Sequence, residues 1–184
     1  MKKTLINVGI ILLIFIIFAG GMSVYLKNKQ EKESKIYITK TLSDPNFKAV
    51  DLQGKRISLN NYKNKKVVLL NFWASWCPPC RAELPDMAKV YDNLKSKGLV
   101  IIGVAESSSK SDVEQLVKQN KIKYPIIMDT NGSIANLYGG INAVPTDFLI
   151  DKNGNIVNKQ VGMFFGENSI KDFVKPYLDK NKGK

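Results

Sequence analysis

The only two cysteines of this 184-residue chain, Cys77 and Cys80, lie three positions apart in the stretch WCPPCRAELP. A structural disulfide stabilises a protein mainly by closing a long loop, and a spacing this short closes almost none. A zinc site needs about four ligands; because the chain has no histidine, zinc would require a dimer or carboxylates. A c-type haem site has a histidine directly after its second cysteine, where this chain has Arg81. The pair therefore indicates thiol–disulfide exchange, and we expect no metal and no cofactor other than the redox-active disulfide itself.

The two cysteines occupy different places at the start of a predicted helix. A nearly continuous apolar run at residues 66–73, typical of a strand buried on both faces, precedes them. Pro78 suits the first turn of a helix, and the partial positive charge of a helix N-terminus stabilises a thiolate. We therefore expect Cys77 to be the nucleophile. Cys80, one turn further in, is expected to be the more buried thiol that attacks the mixed disulfide and releases the partner.

The proline pair between the cysteines should limit how acidic Cys77 becomes. Neither Pro78 nor Pro79 has a backbone N–H, so the thiolate of Cys77 is left with the amide of Cys80 and the helix dipole. We expect the thiol pKa of Cys77 to exceed that of a strongly oxidising exchange protein, which favours the disulfide and makes the dithiol a reductant. Measuring the pKa of Cys77 checks this expectation, and a value of about 4 would contradict it.

Alternating periodicities place the cysteine pair in an α/β domain. Asn153 and Gly154 form a strong hairpin-turn signal between the last two apolar runs, and Ser109 or Ser111 is suited to cap a helix. The alternation of strands and helices predicts a central mixed β-sheet flanked by helices, with the hairpin as its antiparallel edge. The strands are predicted at residues 47–52, 66–73, 99–105, 125–128, 146–150 and 156–161, and the helices at residues 82–94, 111–119, 133–138 and 168–178, the last interrupted at Pro176.

The amino terminus predicts a membrane anchor, a transmembrane helix at residues 1–26. No charged residue occurs from Thr4 to Leu26, and a helix of that length spans about 34 Å, against about 30 Å for the hydrocarbon core of a bilayer. A cleaved signal peptide is the alternative, with Ala19 and Gly21 as a poor small-residue exit. Because the apolar stretch is longer than the core of a signal peptide, an uncleaved signal-anchor is favoured.

A charged linker at residues 27–35 and a globular domain at residues 36–184 follow the anchor. The linker carries four lysines, which by the positive-inside rule argue for a cytoplasmic C-terminal side, although large domains translocate largely regardless of such charges. The net charge of +12 comes from lysines spread over the chain rather than from an arginine cluster. We therefore expect a solvated basic surface and no nucleic-acid partner, with attraction to an anionic cell envelope as the weaker alternative.

Two motifs carry a resemblance to a known family. FWASWCPPCRAELP at residues 72–85 and VPTDFLIDKNG at residues 144–154, together with the anchor, resemble the ResA/TlpA-like branch of membrane-anchored thiol–disulfide oxidoreductases in the thioredoxin superfamily. The resemblance extends from about residue 44 to about residue 178. It implies a thioredoxin fold and a single-pass protein of the cell membrane with its catalytic domain on the extracytoplasmic side.

The resemblance also assigns roles beside the cysteine pair. It implies that Pro145 is a cis-proline facing the pair, and that the backbone of Val144 is free to bind an extended substrate. By base rates alone an X–Pro bond would be trans, so only the resemblance predicts the cis form. Trp76 corresponds to the active-site tryptophan of the family, with a surface aromatic as the alternative.

Three polar residues bear on proton transfer. Thioredoxins carry a buried aspartate six positions before the first cysteine, where this chain has Asn71, so the usual internal proton acceptor is missing. Glu83, three residues after Cys80 on the same helix face, corresponds to the glutamate of ResA-like proteins. It is suited to raise the thiol pKa and accept the Cys80 proton; the alternative is an exposed glutamate paired with lysine. Glu106, at the end of the strand 99–105, corresponds to a second family acid, with no catalytic role as the alternative.

These expectations combine into a function. The chain is predicted to be a monomeric reductant of disulfides in envelope or secreted proteins, of the apocytochrome c maturation or sporulation type, acting through the Cys77/Cys80 dithiol. Cysteines on the oxidising side of a membrane tend to become disulfides, so a reductant there needs electrons, which the resemblance implies come from a CcdA-like membrane protein. The alternatives are a disulfide-forming oxidase or isomerase, and a non-catalytic binding module with the same fold.

Overall fold

The computed structural model describes residue 18, residues 20–29 and residues 46–179. The contacts divide the chain into two units, Met1–Lys40 and Thr41–Lys184. In the first unit, residues 21–29 are helical and exposed. Most of the predicted anchor, and most of the linker predicted after it, lie outside the described residues. Within the described ranges, no helix is both long and apolar enough to cross a membrane.

From residue 67 onwards, the second unit has its strands and helices in the predicted order. The strands are β1 (Lys48–Val50), β2 (Arg56–Ser58), β3 (Val67–Trp73), β4 (Leu99–Glu106), β5 (Ile126–Asp129), β6 (Thr146–Ile150) and β7 (Ile156–Val161). The helices are α1 (Pro78–Leu94), α2 (Lys110–Gln119), α3 (Ser133–Leu137) and α4 (Glu167–Asp179), with short 3-10 turns at Leu59–Asn61 and Lys95–Lys97.

A five-stranded mixed sheet carries the core of this unit. The strand order is β5-β4-β3-β6-β7; β3, β4 and β5 are parallel, β6 is antiparallel to β3, and β7 is antiparallel to β6. Every residue of β3 is buried, as its apolar run predicts for a strand covered on both faces. Helices α1 and α4 contact each other, α1 also contacts β4, and α4 also contacts β3. The predicted central mixed sheet with flanking helices is confirmed.

The amino-terminal strand differs from its prediction. Residues 47–52 are predicted as the first strand of the α/β alternation, but only β1 is extended, and it pairs with β2 in a separate two-stranded sheet. Strand β2 was not predicted, because it has only three residues and only one of them, Ile57, is buried. A strand this short cannot show the alternation of apolar and polar side chains that identifies a strand in a sequence. The segment joins the main sheet where the N–H of Leu52 donates to the carbonyl of Ile126 at 2.9 Å.

Prolines account for the differences in the helices. Helix α1 begins at Pro78, the first helical position that the sequence indicates, although its apolar pattern starts only at residue 82; proline is tolerated there because it needs no N–H partner in a first turn. The predicted interruption at Pro176 is wrong, since α4 continues to its end through this residue. A proline inside a helix costs a hydrogen bond, but Pro176 is exposed, while Val174 and Leu178 on either side are buried. Their packing holds the last turn in place.

The hairpin of β6 and β7 has the predicted bounds. Strand β7 is an antiparallel edge of the sheet, as predicted, and β5 is the opposite edge. Of the two serines proposed as caps, Ser109 precedes α2, and its hydroxyl accepts a hydrogen bond from the N–H of Asp112 at 3.1 Å. Sequence patterns therefore locate most elements that surround the cysteine pair.

Candidate active site

The cysteine pair lies where β3 leads into α1. Cys77 is the N-cap of the helix, and it is joined to Cys80 by a disulfide bond. The sulfur of Cys77 accepts one backbone hydrogen bond within the turn, from the N–H of Cys80 at 3.3 Å. The two prolines between them donate none, as predicted. Cys77 is 2% exposed and Cys80 is 0% exposed, so both sulfurs are sheltered and Cys80 is the deeper one.

The segment before β6 lies against this pair. The Val144–Pro145 peptide bond is cis, as the resemblance implies. The carbonyl oxygen of Val144 is 3.6 Å from the sulfur of Cys77. The loop after β7 fixes the other side of this segment, because the N–H of Gly162 donates to the carbonyl of Pro145 at 2.9 Å. The structure therefore brings Val144 and Pro145 to the cysteine predicted to be the nucleophile.

Trp76 is an exposed aromatic side chain held in a defined position. It is 61% exposed, and its indole N–H donates to the carbonyl of Ser107 at 3.0 Å. The preceding N–H, that of Ser75, donates to the hydroxyl of Ser108 at 2.8 Å. The loop after β4 thus fixes an apolar surface directly beside Cys77.

Glu83 is a buried acid on the inner face of α1. It is 1% exposed, so the alternative of an exposed glutamate paired with lysine is wrong. Its Oε1 accepts a hydrogen bond from Nδ2 of Asn71 at 3.2 Å, and its Oε2 accepts one from the N–H of Phe164 at 3.0 Å. Burial raises the pKa of Glu83 to about 7, against the lowering effect of these two hydrogen bonds.

Asp147 is a site residue that the sequence analysis missed. It lies in β6 directly opposite Asn71 in β3, is fully buried, and its Oδ1 accepts a hydrogen bond from Nδ2 of Asn71 at 3.0 Å. Burial, and then the charge of Glu83, raise the pKa of Asp147 well above its ordinary value. The signal was present: an aspartate in the otherwise apolar strand TDFLI needs a polar partner in the core.

This acid adds to the prediction drawn from Asn71. Position 71 has no carboxyl, as the sequence shows, and the neighbouring strand supplies a second buried acid at position 147 in addition to Glu83. The side chain of Asn71 joins that carboxyl to Glu83 of α1. Strand pairing cannot be read from a single position, which is why the sequence indicated Glu83 as the replacement acid but did not reveal Asp147.

Glu106 takes part in a different arrangement. It ends β4, where Asp129 lies opposite it in β5, and burial followed by the charge of Asp129 raises the pKa of Glu106 to about 7. The carboxylate of Asp129 binds the first turn of α3, where it accepts hydrogen bonds from the N–H groups of Ile134 and Ala135. In the described part of the chain, no hydrogen bond joins Glu106 to Glu83 or Asp147. Among these residues there is also no cluster of acids or cysteines able to hold a metal ion.

Comparison with known proteins identifies relatives of this chain in sequence and in fold. Residues 43–159 match the AhpC/TSA family. The thiol-disulfide oxidoreductase ResA of Bacillus thuringiensis subsp. konkukian (strain 97-27) is 37% identical over 180 residues, which cover 98% of each chain. A thiol:disulfide interchange protein of the thioredoxin family from Chlorobium tepidum TLS is 34% identical, with a TM-score of 0.68 over 73% of this chain and 94% of the other.

A third comparison concerns StoA from Bacillus subtilis. It is 31% identical to this chain, and the two structures superpose with a TM-score of 0.61 over 70% of this chain and 96% of StoA. The superposed part has the thioredoxin fold, as the motifs around residues 72–85 and 144–154 predicted. The chain belongs to the AhpC/TSA family of thioredoxin-fold proteins and is a thiol–disulfide oxidoreductase, with ResA proteins among its relatives.

Proposed function

We propose that this oxidoreductase reduces disulfides in envelope or secreted proteins through the Cys77/Cys80 dithiol. The observation that carries the direction is the single backbone N–H, from Cys80, donated to the Cys77 sulfur within the helix turn. Fewer donors stabilise the thiolate less. A less stable thiolate means that the dithiol gives up its electrons more readily, so the protein is suited to reduce a partner rather than oxidise it.

The first step is attack by the Cys77 thiolate on the partner disulfide. One sulfur of the partner leaves as a thiolate and the other becomes bonded to Cys77. The exposed ring of Trp76 provides an apolar contact next to that bond. The segment of Val144 and Pro145, whose Val144 carbonyl lies 3.6 Å from the Cys77 sulfur, is placed to guide the partner's extended backbone.

The second step resolves the mixed disulfide. The Cys80 thiol gives its proton to Glu83, which lies one turn further along the same face of α1, and the new thiolate attacks the sulfur of Cys77. The partner leaves with its second sulfur reduced, and the observed Cys77–Cys80 disulfide is the product. Because the pKa of Glu83 is about 7, this acid changes its protonation state near neutral pH, as a proton acceptor should.

The cellular setting belongs to the same proposal. The uncharged stretch from Thr4 to Leu26 supports a single-pass anchor in the cell membrane. A dithiol reductant is needed where cysteines are otherwise oxidised, which supports a domain on the extracytoplasmic side. We propose that this domain acts as a monomer. There it would receive electrons from a CcdA-like membrane protein. Its partners would be apocytochrome c or envelope proteins of sporulation.

Trapping in cells tests this function and names the partner. A Cys80→Ala variant of the full chain cannot resolve the mixed disulfide, so it should accumulate covalent adducts through Cys77 that a reducing agent releases. The matched Cys77→Ala variant lacks the attacking thiol and should accumulate none. Adducts are separated on non-reducing gels and identified by mass spectrometry, and extracytoplasmic partners are expected.

Three results would contradict the proposal. Trapping of cytoplasmic proteins only would place the domain on the other side of the membrane. A reduction potential of about −120 mV, as in a strong oxidant, would make the protein a disulfide-forming oxidase. No adduct at all with Cys80→Ala would remove the exchange reaction and leave a binding role for the fold.

A further inference from the structure

The carboxyl groups of Glu83 and Asp147 both accept hydrogen bonds from one buried amide, that of Asn71. Nδ2 of Asn71 lies 3.2 Å from Oε1 of Glu83 and 3.0 Å from Oδ1 of Asp147. The three residues are 0%, 1% and 0% exposed. The two hydrogens on this nitrogen suit one acceptor each. Two negative charges held this close, away from water, repel each other strongly, so such a pair retains a proton.

The hydrogen bonds indicate which of the two carboxyls keeps that proton. Glu83 accepts an N–H on each of its oxygens, from Asn71 and from Phe164. Asp147 accepts only one, and its Oδ2 has no partner among the described residues. Hydrogen bonds to the charged form stabilise that form. The negative charge is therefore best placed on Glu83, and the proton on Oδ2 of Asp147.

A second unpaired atom supports the same placement. Oδ1 of Asn71 is buried and, in the described region, lacks a hydrogen-bond donor. A carboxylate cannot supply one, whereas a protonated Asp147 has an O–H next to the same amide. Protonation of Asp147 would thus give Oδ1 of Asn71 a hydrogen-bond donor. Such a donor stabilises the protein, because a buried polar atom without a partner is costly.

We propose that Asp147 is a positioning residue that holds the resting proton of this buried pair, so that Glu83 meets Cys80 as a carboxylate. This inference rests on the proposed role of Glu83 in resolving the mixed disulfide. Tyr124, which precedes β5, interacts electrostatically with both acids, and Cys80 lies one turn before Glu83 on α1. Burial raises the pKa of Tyr124 far above its ordinary value, with smaller contributions from both acids, so this phenol stays neutral.

The proton count through the reaction is balanced. With one proton on Asp147, the Glu83 carboxylate takes the proton of the Cys80 thiol, and the pair then holds two. The Cys80 thiolate forms its bond to Cys77, the bond from Cys77 to the partner breaks, and the partner leaves as a thiolate that takes the proton back from Glu83. The dithiol loses two electrons, the partner disulfide gains them, and Asp147 still holds its proton at the end.

Infrared spectroscopy with isotope labelling tests where the resting proton lies. The full chain is prepared with ¹³C on the side-chain carboxyl carbon of either its aspartates or its glutamates, at about pH 8, roughly one unit above the pKa of about 7 for Glu83. We expect a protonated-carboxyl band that shifts with the aspartate label and not with the glutamate label. Asp147→Asn should abolish the band, while Asp172→Asn, at an exposed position of α4, should leave it unchanged.

The pH profile of resolution provides a second readout. If Asp147 is neutral at rest, Asp147→Asn replaces a neutral group by a neutral group, and the midpoint of the profile should stay close to that of the unmodified chain. If Asp147 is charged, its removal relieves repulsion and lowers the midpoint by about one pH unit or more. That fall, a band that shifts with the glutamate label, or no band at all would each overturn the proposal. The infrared band is measured on the resting protein, without any disulfide exchange. It therefore tests the position of the proton even if the proposed function is wrong.

Discussion

Replacing Glu83 with glutamine is expected to slow the resolution of the mixed disulfide by about 10²- to 10⁴-fold, the usual contribution of a positioned proton acceptor. Glutamine keeps the size of the side chain but cannot accept the Cys80 proton. In the unmodified chain the resolution rate should rise as the pH increases through about 7, the pKa of Glu83, because only the carboxylate accepts a proton. The variant should lose this rise. Rapid-mixing measurements of the decay of a mixed disulfide, at several pH values, give both quantities.

The matched control is Glu114→Gln. Glu114 is an exposed helical glutamate whose side chain pairs with Lys110 at 3.6 Å, so its loss should leave the rate and the pH profile unchanged. The Glu83 variant should also form the mixed disulfide at a normal rate, which separates a defect in resolution from a misfolded protein. An unaltered pH profile in Glu83→Gln would show that another group accepts the proton.

Truncating Trp73 to alanine is expected to lower the free energy of unfolding by about 3–5 kcal/mol. Its side chain is 0% exposed at the end of β3, and its indole nitrogen is close to Gly103 of β4, where an added Cβ would lie 3.0 Å away. The strands pack tightly here, so the cavity left by the ring cannot collapse easily. Domains of this size have a total stability of about 5–15 kcal/mol, and the loss should be plain in urea unfolding followed by circular dichroism.

The second tryptophan of the chain is the natural control. Trp76 lies three positions further along but is 61% exposed, so Trp76→Ala should change the free energy of unfolding by about 1 kcal/mol or less. The effects on disulfide exchange should follow the opposite order. Trp76→Ala should slow the reaction with a partner more than Trp73→Ala, because Trp76 borders Cys77 and Trp73 does not reach the surface. Equal destabilisation by both substitutions would contradict the packing described for β3.

Features that depend on local sequence were predicted well. The position of Cys77 before Pro78 determines where α1 begins, and the turn at Asn153 and Gly154 determines the bounds of the hairpin. Both rest on the backbone preferences of a few adjacent residues. The placement of Val144 beside Cys77 was available only through family resemblance, because 67 positions separate the two residues in the sequence.

Features that depend on strand register were not predicted. Asp147 acquires its significance from lying opposite Asn71, and that register follows from the packing of whole strands. The hydrogen bond from the Phe164 amide to Glu83 likewise joins groups 81 positions apart. Strand β2 is too short for any period to identify it. Each of these requires the assembled sheet, in which residues distant in sequence become neighbours.

The two outer strands of the sheet are the places where another extended chain could pair with this protein. Open strand edges bind other extended segments and promote aggregation. Here β5 is partly covered by the bridge between Asp51 and Ile127. On the other side, β7 has an exposed lysine, Lys159, a register irregularity opposite its start, and a carbonyl, that of Val157, occupied by the hydroxyl of Tyr177. Strand addition is thus discouraged at both margins of the sheet, in keeping with our proposal that a partner docks instead at the Val144 segment beside the Cys77 sulfur.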